Sequence, residues 1–385
     1  MINQAIIEAL RGSAPDWIIT LTTATLGATG ILLFVITSDL AAVWIERKLL
    51  GRFQVRYGPN RAGPRGLLQP VADAIKVIGK EAVTPFDVDR WVYWAAPIAA
   101  FLPALLTYAV FPFAPGAALA DLDTGLLYVI AIGALGVVPV FMAGWSSNNK
   151  YSLLGAMRAV SQTVSYEIPL VLSVVGLLLF ANSLRLTDIV RYQIENGWFL
   201  LLQPLGCLIF FIAGSAELNR TPTDTMEGES EIVGGYHTEY SGFKFSMFYV
   251  AEYTHLFAVS ALVATLFLGG WGTGPLLDLV PAIVWFVIKT YFVFCVFIWT
   301  RATLPRMRID QLMDFAWKFL IPLCLLNTGF AAVEVYLGLP SLAVIVLNVL
   351  LAGALIVGWT QLLGSISPSG PHRKLSAGQP AASGR

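Results

Sequence analysis

The sequence predicts an all-α fold: a polytopic membrane protein with about nine transmembrane helices and an amphipathic cytoplasmic surface helix. Three observations carry this. Of 385 residues, 57% are hydrophobic and 12% are charged, against about 25% charged in a typical soluble domain. The mean hydropathy of +0.72 is too high for one large soluble core of this length. The apolar runs are long and continuous, not alternating, which favours helices over a strand barrel.

Crossing a hydrocarbon core of about 30 Å takes roughly 20 mainly apolar residues. Nine runs qualify: 17–45, 91–113, 124–145, 155–181, 198–217, 246–270, 276–300, 315–337 and 341–364. Trp17, Trp91, Trp145, Trp198, Trp271 and Trp317 stand near run ends, where interfacial aromatics belong. Glu8 and Asp16 precede a long first run with no small-residue cleavage site, so no signal peptide is expected. Residues 1–364 read as one transmembrane domain with loops at 46–90, 218–245 and 301–314. Residues 365–385, rich in Ser, Pro, Gly and Ala, read as a disordered cytoplasmic tail.

Basic residues set the orientation. Arg47, Lys48, Arg52, Arg56, Arg61, Arg65, Lys76, Lys80 and Arg90 lie between the first two runs. Further cations lie on alternate connections, against only Arg11, Arg185 and Arg191 on the others. The positive-inside rule places the N-terminus outside and the C-terminus in the cytoplasm, which nine crossings satisfy. A multi-pass membrane location is expected.

Several classes of chemistry are not indicated. Cys207, Cys295 and Cys324 lie far apart in apolar runs, without the spacing of a disulfide framework or an iron–sulfur cluster. His237, His255 and His372 lack haem or zinc spacing. No metal or redox cofactor is expected on this chain, so a partner must bring any electrons. A net charge of +0 gives no basic field for nucleic acid.

Ionisable groups inside membrane spans are costly and usually functional. Glu167 lies nine residues past Arg158, about 14 Å deep at 1.5 Å per residue. Pro169 follows and predicts a kink beside it. Its alternative is a carboxyl hydrogen-bonded to a neighbouring helix. Lys289 lies twelve residues before Arg301, about 18 Å from the cytoplasmic face. Glu217 ends the fifth run and Glu252 begins the sixth; both could instead reach water at the interface. Glu167, Glu217, Glu252 and Lys289 together predict a proton path opening to the cytoplasm. Asp39 and Glu334, near span ends, are equally well read as satisfied carboxyls.

The 217–240 stretch, ELNRTPTDTMEGESEIVGGYHTEY, holds Glu217, Asp224, Glu227, Glu229, Glu231 and Glu239 against Arg220. On a helix Glu227 and Glu231 would be like charges at i,i+4, and in an extended stretch Glu227, Glu229 and Glu231 would share one side; either way they raise one another's pKa unless cations are near. A solvated acidic loop is the plainer reading. In the 46–90 loop, residues 69–82 form an amphipathic pattern with Val71, Ile75 and Ile78 on one side. The GPNRAGPRG turn holds cations, either at a pocket mouth for an amphiphile or for lipid head groups.

Four blocks also carry a resemblance: ERKLLGRFQVRYGPNRAGPRGLLQPVADAIK, NNKYSLLGAMRAVSQTVSYEIPL, ELNRTPTDTMEGESEIVGGYHTEYSGFKFSMFYVAEY and RATLPRMRIDQLMDFAWK. In this order they resemble the family of H-type (or type 1) membrane subunits of complex I, the respiratory NADH:quinone oxidoreductase. The resemblance implies a membrane component with no redox centre, at the junction with the peripheral arm. FMN and iron–sulfur clusters belong to partner subunits, and quinone is the substrate. The implied partners are the peripheral quinone-module subunits and small and antiporter-like membrane subunits. Glu46, Arg47, Arg56, Asp73, Lys76 and Arg301 match charged residues near the quinone cavity. Asp224, Glu227, Glu229, Glu231 and Glu239 match an acidic coupling loop. Glu167, Glu217 and Glu252 match the family's proton path, and Lys289 its lysine on the seventh span. The chain departs from the family at Thr223, usually Phe, and Met226, often Pro, and its third run carries no glutamate. A membrane anchor of an energy-converting hydrogenase and a proton-coupled secondary transporter are the alternatives.

Overall fold

The computed structural model describes residues 15–226, 228–272 and 280–366. Among them every regular element is helical. Glu227, residues 276–279 of the seventh apolar run and residues 367–385 of the tail lie outside the described residues.

Each apolar run becomes helix, but three differ from their predicted form. The first helix, α1 (Asp16–Phe53), runs well past the apolar stretch that ends at residue 45. Glu46 and Arg47 therefore stand on a rigid helix end, not in a loop. The segment ERKLLGRF is made largely of good helix formers, and the chain turns only at Val55 and Arg56, whose N–H groups donate to the Arg52 and Gly51 carbonyls. The third run splits into α4 (Gly125–Ala134) and α5 (Val137–Ser146). Pro139 lacks the N–H that would bond the Leu135 carbonyl, and Gly133 and Gly136 weaken the same turn. The fifth run splits at Gln203 into α8 (Phe199–Leu202) and α9 (Pro204–Glu217). Pro204 pushes its predecessor out of helical geometry, and Gln203 sits at φ −137°, ψ 66°.

The predicted surface helix forms as α2 (Gln69–Ile78) and ends at Gly79, short of the predicted residue 82. Ile75 and Ile78 are 66% and 69% exposed. Its apolar side thus faces away from the protein, as in a helix resting on lipid. The other elements are α3 (Arg90–Thr107), α6 (Lys150–Ala181), α7 (Leu186–Asn196), the one-turn α10 (Glu229–Ile232), α11 (Gly242–Phe267), α12 (Ala282–Thr303), α13 (Ile309–Asp314), α14 (Ile321–Tyr336) and α15 (Ser341–Ile366). A π-helical stretch, Phe315–Leu320, joins α13 to α14. The helix α6 runs through Pro169 without interruption.

Six helical runs among the described residues are long and apolar enough to cross a membrane, and Pro204–Glu217 and Ser341–Leu355 are shorter apolar helices. The chain is a polytopic membrane protein. Two helices organise the packing. The centre is α11, against α3, α12 and α1; α6 packs against α9, α5 and α14. The 218–241 connection folds back over α6. A Cβ on Gly155 would stand 2.7 Å from the Gly235 Cα, so backbone meets backbone there and glycine is required on the helix.

Candidate functional site

Arg220 follows α9 and is 6% exposed. Its Nη1 donates to Glu46 Oε2 at 2.9 Å, and its Nε donates to Glu252 Oε1 at 2.7 Å. Arg301 on α12 donates to the other oxygen of Glu46. The Tyr253 ring lies 4.7 Å from the Arg220 guanidinium. Glu46 is 2% exposed. Each buried ion costs several kcal/mol of lost hydration, offset only by close partners. Here two acids and two arginines balance in charge, and one planar guanidinium bonds two carboxylates from different helices. Burial works against the charge on Arg220, but Glu252 and Glu46 outweigh it and hold the guanidinium more firmly protonated than usual.

Beside this cluster lies a cavity of about 110 Å³, lined by Glu217, Arg220, Asp224, Glu252, His255 and Arg301 among others. A second cavity of about 30 Å³ is lined by Glu167, Leu170, Phe210, Glu217 and His255. Glu217, His255, Gly133 and Thr107 belong to both walls. His255 Nε2 stands 3.4 Å from Glu217 Oε1. The helix break at residues 135–136 adjoins this junction, and a Cβ on Gly133 would stand 3.2 Å from Glu217 Oε1. Glu217 thus lies in the walls of both cavities, with Glu252 in the wall of the larger and Glu167 in the wall of the smaller.

His255 is a site residue that the sequence reading passes over, because it weighs histidines only for metal spacing. The available signal is its position three residues after Glu252 on one helix, which puts both on one face. Lys289, in contrast, is not brought to this set. Its Nζ donates to the carbonyls of Leu268, Gly270 and Gly272 at 2.7, 3.0 and 2.8 Å and lies over the Trp198 ring. It caps the end of α11. Asp39, 6% exposed, accepts a hydrogen bond from Thr254, and Glu334 accepts two from Asn348.

Among the described residues, the acidic side chains of the 217–240 stretch do not form one cluster. Asp224 lines the larger cavity. Glu239 accepts a 2.7 Å hydrogen bond from Asn149. Glu231 lies on the one-turn helix α10, not in an extended stretch, and pairs with Arg158. That hydrogen bond and charge, with Arg306 and Arg308 nearby, hold its carboxyl below the usual range. At Glu231 these cations offset the crowding of acids predicted from the sequence. Glu229 belongs to α10, but its side chain lies outside the described residues, as does Glu227 altogether. Thr223 is buried, its hydroxyl donating to the carbonyls of Arg220 and Ser215, so the chain's departure from Phe there is put to use. Among the described residues no group of His, Cys, Asp and Glu could hold a metal ion.

The residues assigned to the quinone cavity separate into two places. Glu46 and Arg301 belong to the buried cluster. Arg47 and Arg56 line an open pocket of about 340 Å³ with Tyr57, Gly58 and Pro59. Arg47 pairs with Asp73, which ties α2 to the end of α1. Partial burial works to raise Asp73, but hydrogen bonds from Arg47 and Gln69 prevail and hold its carboxyl below the usual range. Lys76 is exposed.

The model of the NADH dehydrogenase family matches residues 26–332. A protein of Dehalococcoides mccartyi strain CBDB1, named as the H subunit of NADH-quinone oxidoreductase, is 56% identical over 302 residues, covering 78% of this chain and 84% of that one. Proteins of the same name from Brevibacillus brevis and Geobacillus thermodenitrificans are 49% and 50% identical, covering 86% and 85% of this chain and 98% of each relative. The match spans both cavities and the buried ion cluster, and the chain belongs to the NADH dehydrogenase family, that of the H-type membrane subunits of complex I.

Proposed function

We propose that this chain is the membrane component that forms part of the quinone cavity and the proton-entrance path of a proton-pumping NADH:quinone oxidoreductase. Its relatives are named as subunits of an NADH-quinone oxidoreductase. The observation that carries the finer reading is the shared wall of Glu217 and His255 between the two cavities. It supports a route from the Arg220–Glu252 cluster to Glu167 at mid-span.

Quinone enters from lipid beside α2 and the pocket of Arg47 and Arg56, and takes two electrons from an iron–sulfur partner. Negative charge on reduced quinone raises the proton affinity of nearby carboxylates. The acids of the coupling loop, Asp224, Glu227, Glu229, Glu231 and Glu239, answer that charge, and the arginines around them set its reach. Within the cluster a change at Glu252 is felt at Glu46 through Arg220, because one guanidinium bonds both. The Glu217–His255 pair exchanges a proton with either side and hands it to Glu167, and from there it drives the antiporter-like membrane partners. Lys289 holds the far end of α11 fixed while this occurs. The N-terminus lies outside and the C-terminus in the cytoplasm of a bacterial inner membrane.

Replacing Glu167 and Glu229 singly by Gln in the assembled complex tests the relay. Each variant is expected to lose most proton translocation. If both retain full quinone reduction and full pumping, the relay is wrong.

A further inference from the structure

Gln203 and Asn327 are each 1% exposed, and among the described residues neither side-chain amide has a hydrogen-bond partner for its nitrogen or its oxygen. The two are neighbours. A Cβ on Gly206 would stand 3.3 Å from Asn327 Nδ2, 3.4 Å from Gln203 Oε1 and 3.4 Å from the Ser173 carbonyl. A Cβ on Gly176 would stand 2.6 Å from Gln203 Oε1. Glycine at both positions keeps side-chain bulk away from the amides. Contacts hold the seam on either side of Asn327: Cys324 Sγ donates to the Pro169 carbonyl at 3.5 Å, and the Thr328 hydroxyl, which donates to the Cys324 carbonyl at 2.9 Å, also lies 3.4 Å from the Leu172 carbonyl.

Leaving a buried polar atom unsatisfied is unfavourable, so this group calls for a ligand. Its chemistry says which one. Two amides offer two carbonyl acceptors and two NH₂ donors. A metal cation would meet only the oxygens, and an anion only the nitrogens. Water donates and accepts at once and meets both, and buried water takes two to four such partners.

The place also matters. The smaller cavity is lined by Leu170 on α6 and Phe210 on α9. Ser173 and Gly206, beside the amides, lie three residues on and four residues back along those same helices, one turn away on the same faces. We infer that Gln203 and Asn327 hold bound water that carries the polar line one helical turn past the smaller cavity and so beyond Glu167, between α6, α9 and α14. The water site stands on its own. Its part in proton movement rests on the function proposed for Glu167.

Electron cryo-microscopy of the assembled complex, at a resolution that shows ordered water, tests the site. Density within hydrogen-bonding distance of both amides is expected. Amides bonded directly to each other or to the Ser173 carbonyl, with no density between them, would overturn it. The role is tested by the double substitution Gln203→Leu with Asn327→Leu beside Glu167→Gln, each measured for protons moved per quinone reduced. Both are expected to lose pumping. Full pumping by the amide variant while Glu167→Gln fails removes the extension alone. Full pumping by both removes the Glu167 reading with it.

Discussion

Arg220 joins three helices through two hydrogen bonds that need the shape of a guanidinium. Replacing it by Leu leaves Glu46, 2% exposed, with Arg301 as its remaining arginine and strips Glu252 of a charged partner. Breaking a buried pair this way costs about 3–5 kcal/mol. The Arg220→Leu chain is expected to melt at lower temperature and to assemble poorly, read by thermal unfolding of the purified complex. Arg220→Lys is expected to recover only part of the loss, since a point-charge ammonium cannot reproduce the planar fork. At this scale the sequence is partly legible. Acids in apolar runs stand out because charge is rare there, which finds Glu167, Glu217 and Glu252. Arg220 is visible only as the lone cation among acids. Its partners, Glu46 and Glu252, lie 174 and 32 residues away, and nothing in local spacing pairs them. Lys289 is misplaced for a related reason: depth along a helix is legible, but not the carbonyls that fold back to meet it.

The helices themselves are the most legible element, because hydrocarbon leaves a backbone few alternatives. Breaks within them are less so. Pro204 and Pro139 are present in the sequence, yet the apolar runs read as continuous, since hydropathy ignores a missing N–H. The surface helix α2 is legible from its period, and its attachment gives a prediction. Asp73 has a carboxyl pKa below the usual range, so the Arg47–Asp73 tie is fully present above the ordinary carboxylate range and is lost as pH falls through the lowered value. Protection of residues 69–78 against hydrogen exchange, taken relative to the intrinsic rate at each pH, is expected to hold at neutral pH and to fall only below the usual aspartate range. In Asp73→Asn that protection is expected to be weaker at neutral pH and to lose the acid dependence. Unchanged exchange in Asp73→Asn would remove the tie.

On the scale of the molecule, two lines of argument meet. Asymmetry of basic residues predicts a cytoplasmic C-terminus, and a tag placed there is expected to be reached by protease in inverted vesicles but not in intact cells. The opposite pattern would reverse the orientation and put the proposed proton entrance on the wrong side. The cavities are not legible in the sequence, because a void is made by what several distant segments leave unfilled. Glu217 and His255 line both cavities from different helices, and Gly133 leaves room beside the Glu217 carboxyl.

That junction carries the account, and it can be closed without touching an ionisable group. Gly133→Val in the assembled complex would add a side chain whose Cβ alone would stand 3.2 Å from Glu217 Oε1. The measurement is protons translocated per quinone reduced in sealed vesicles. A large fall in translocation is predicted, with the complex assembled and both neighbouring carboxylates present. Translocation equal to that of the unaltered complex would contradict the claim that protons pass between these two cavities.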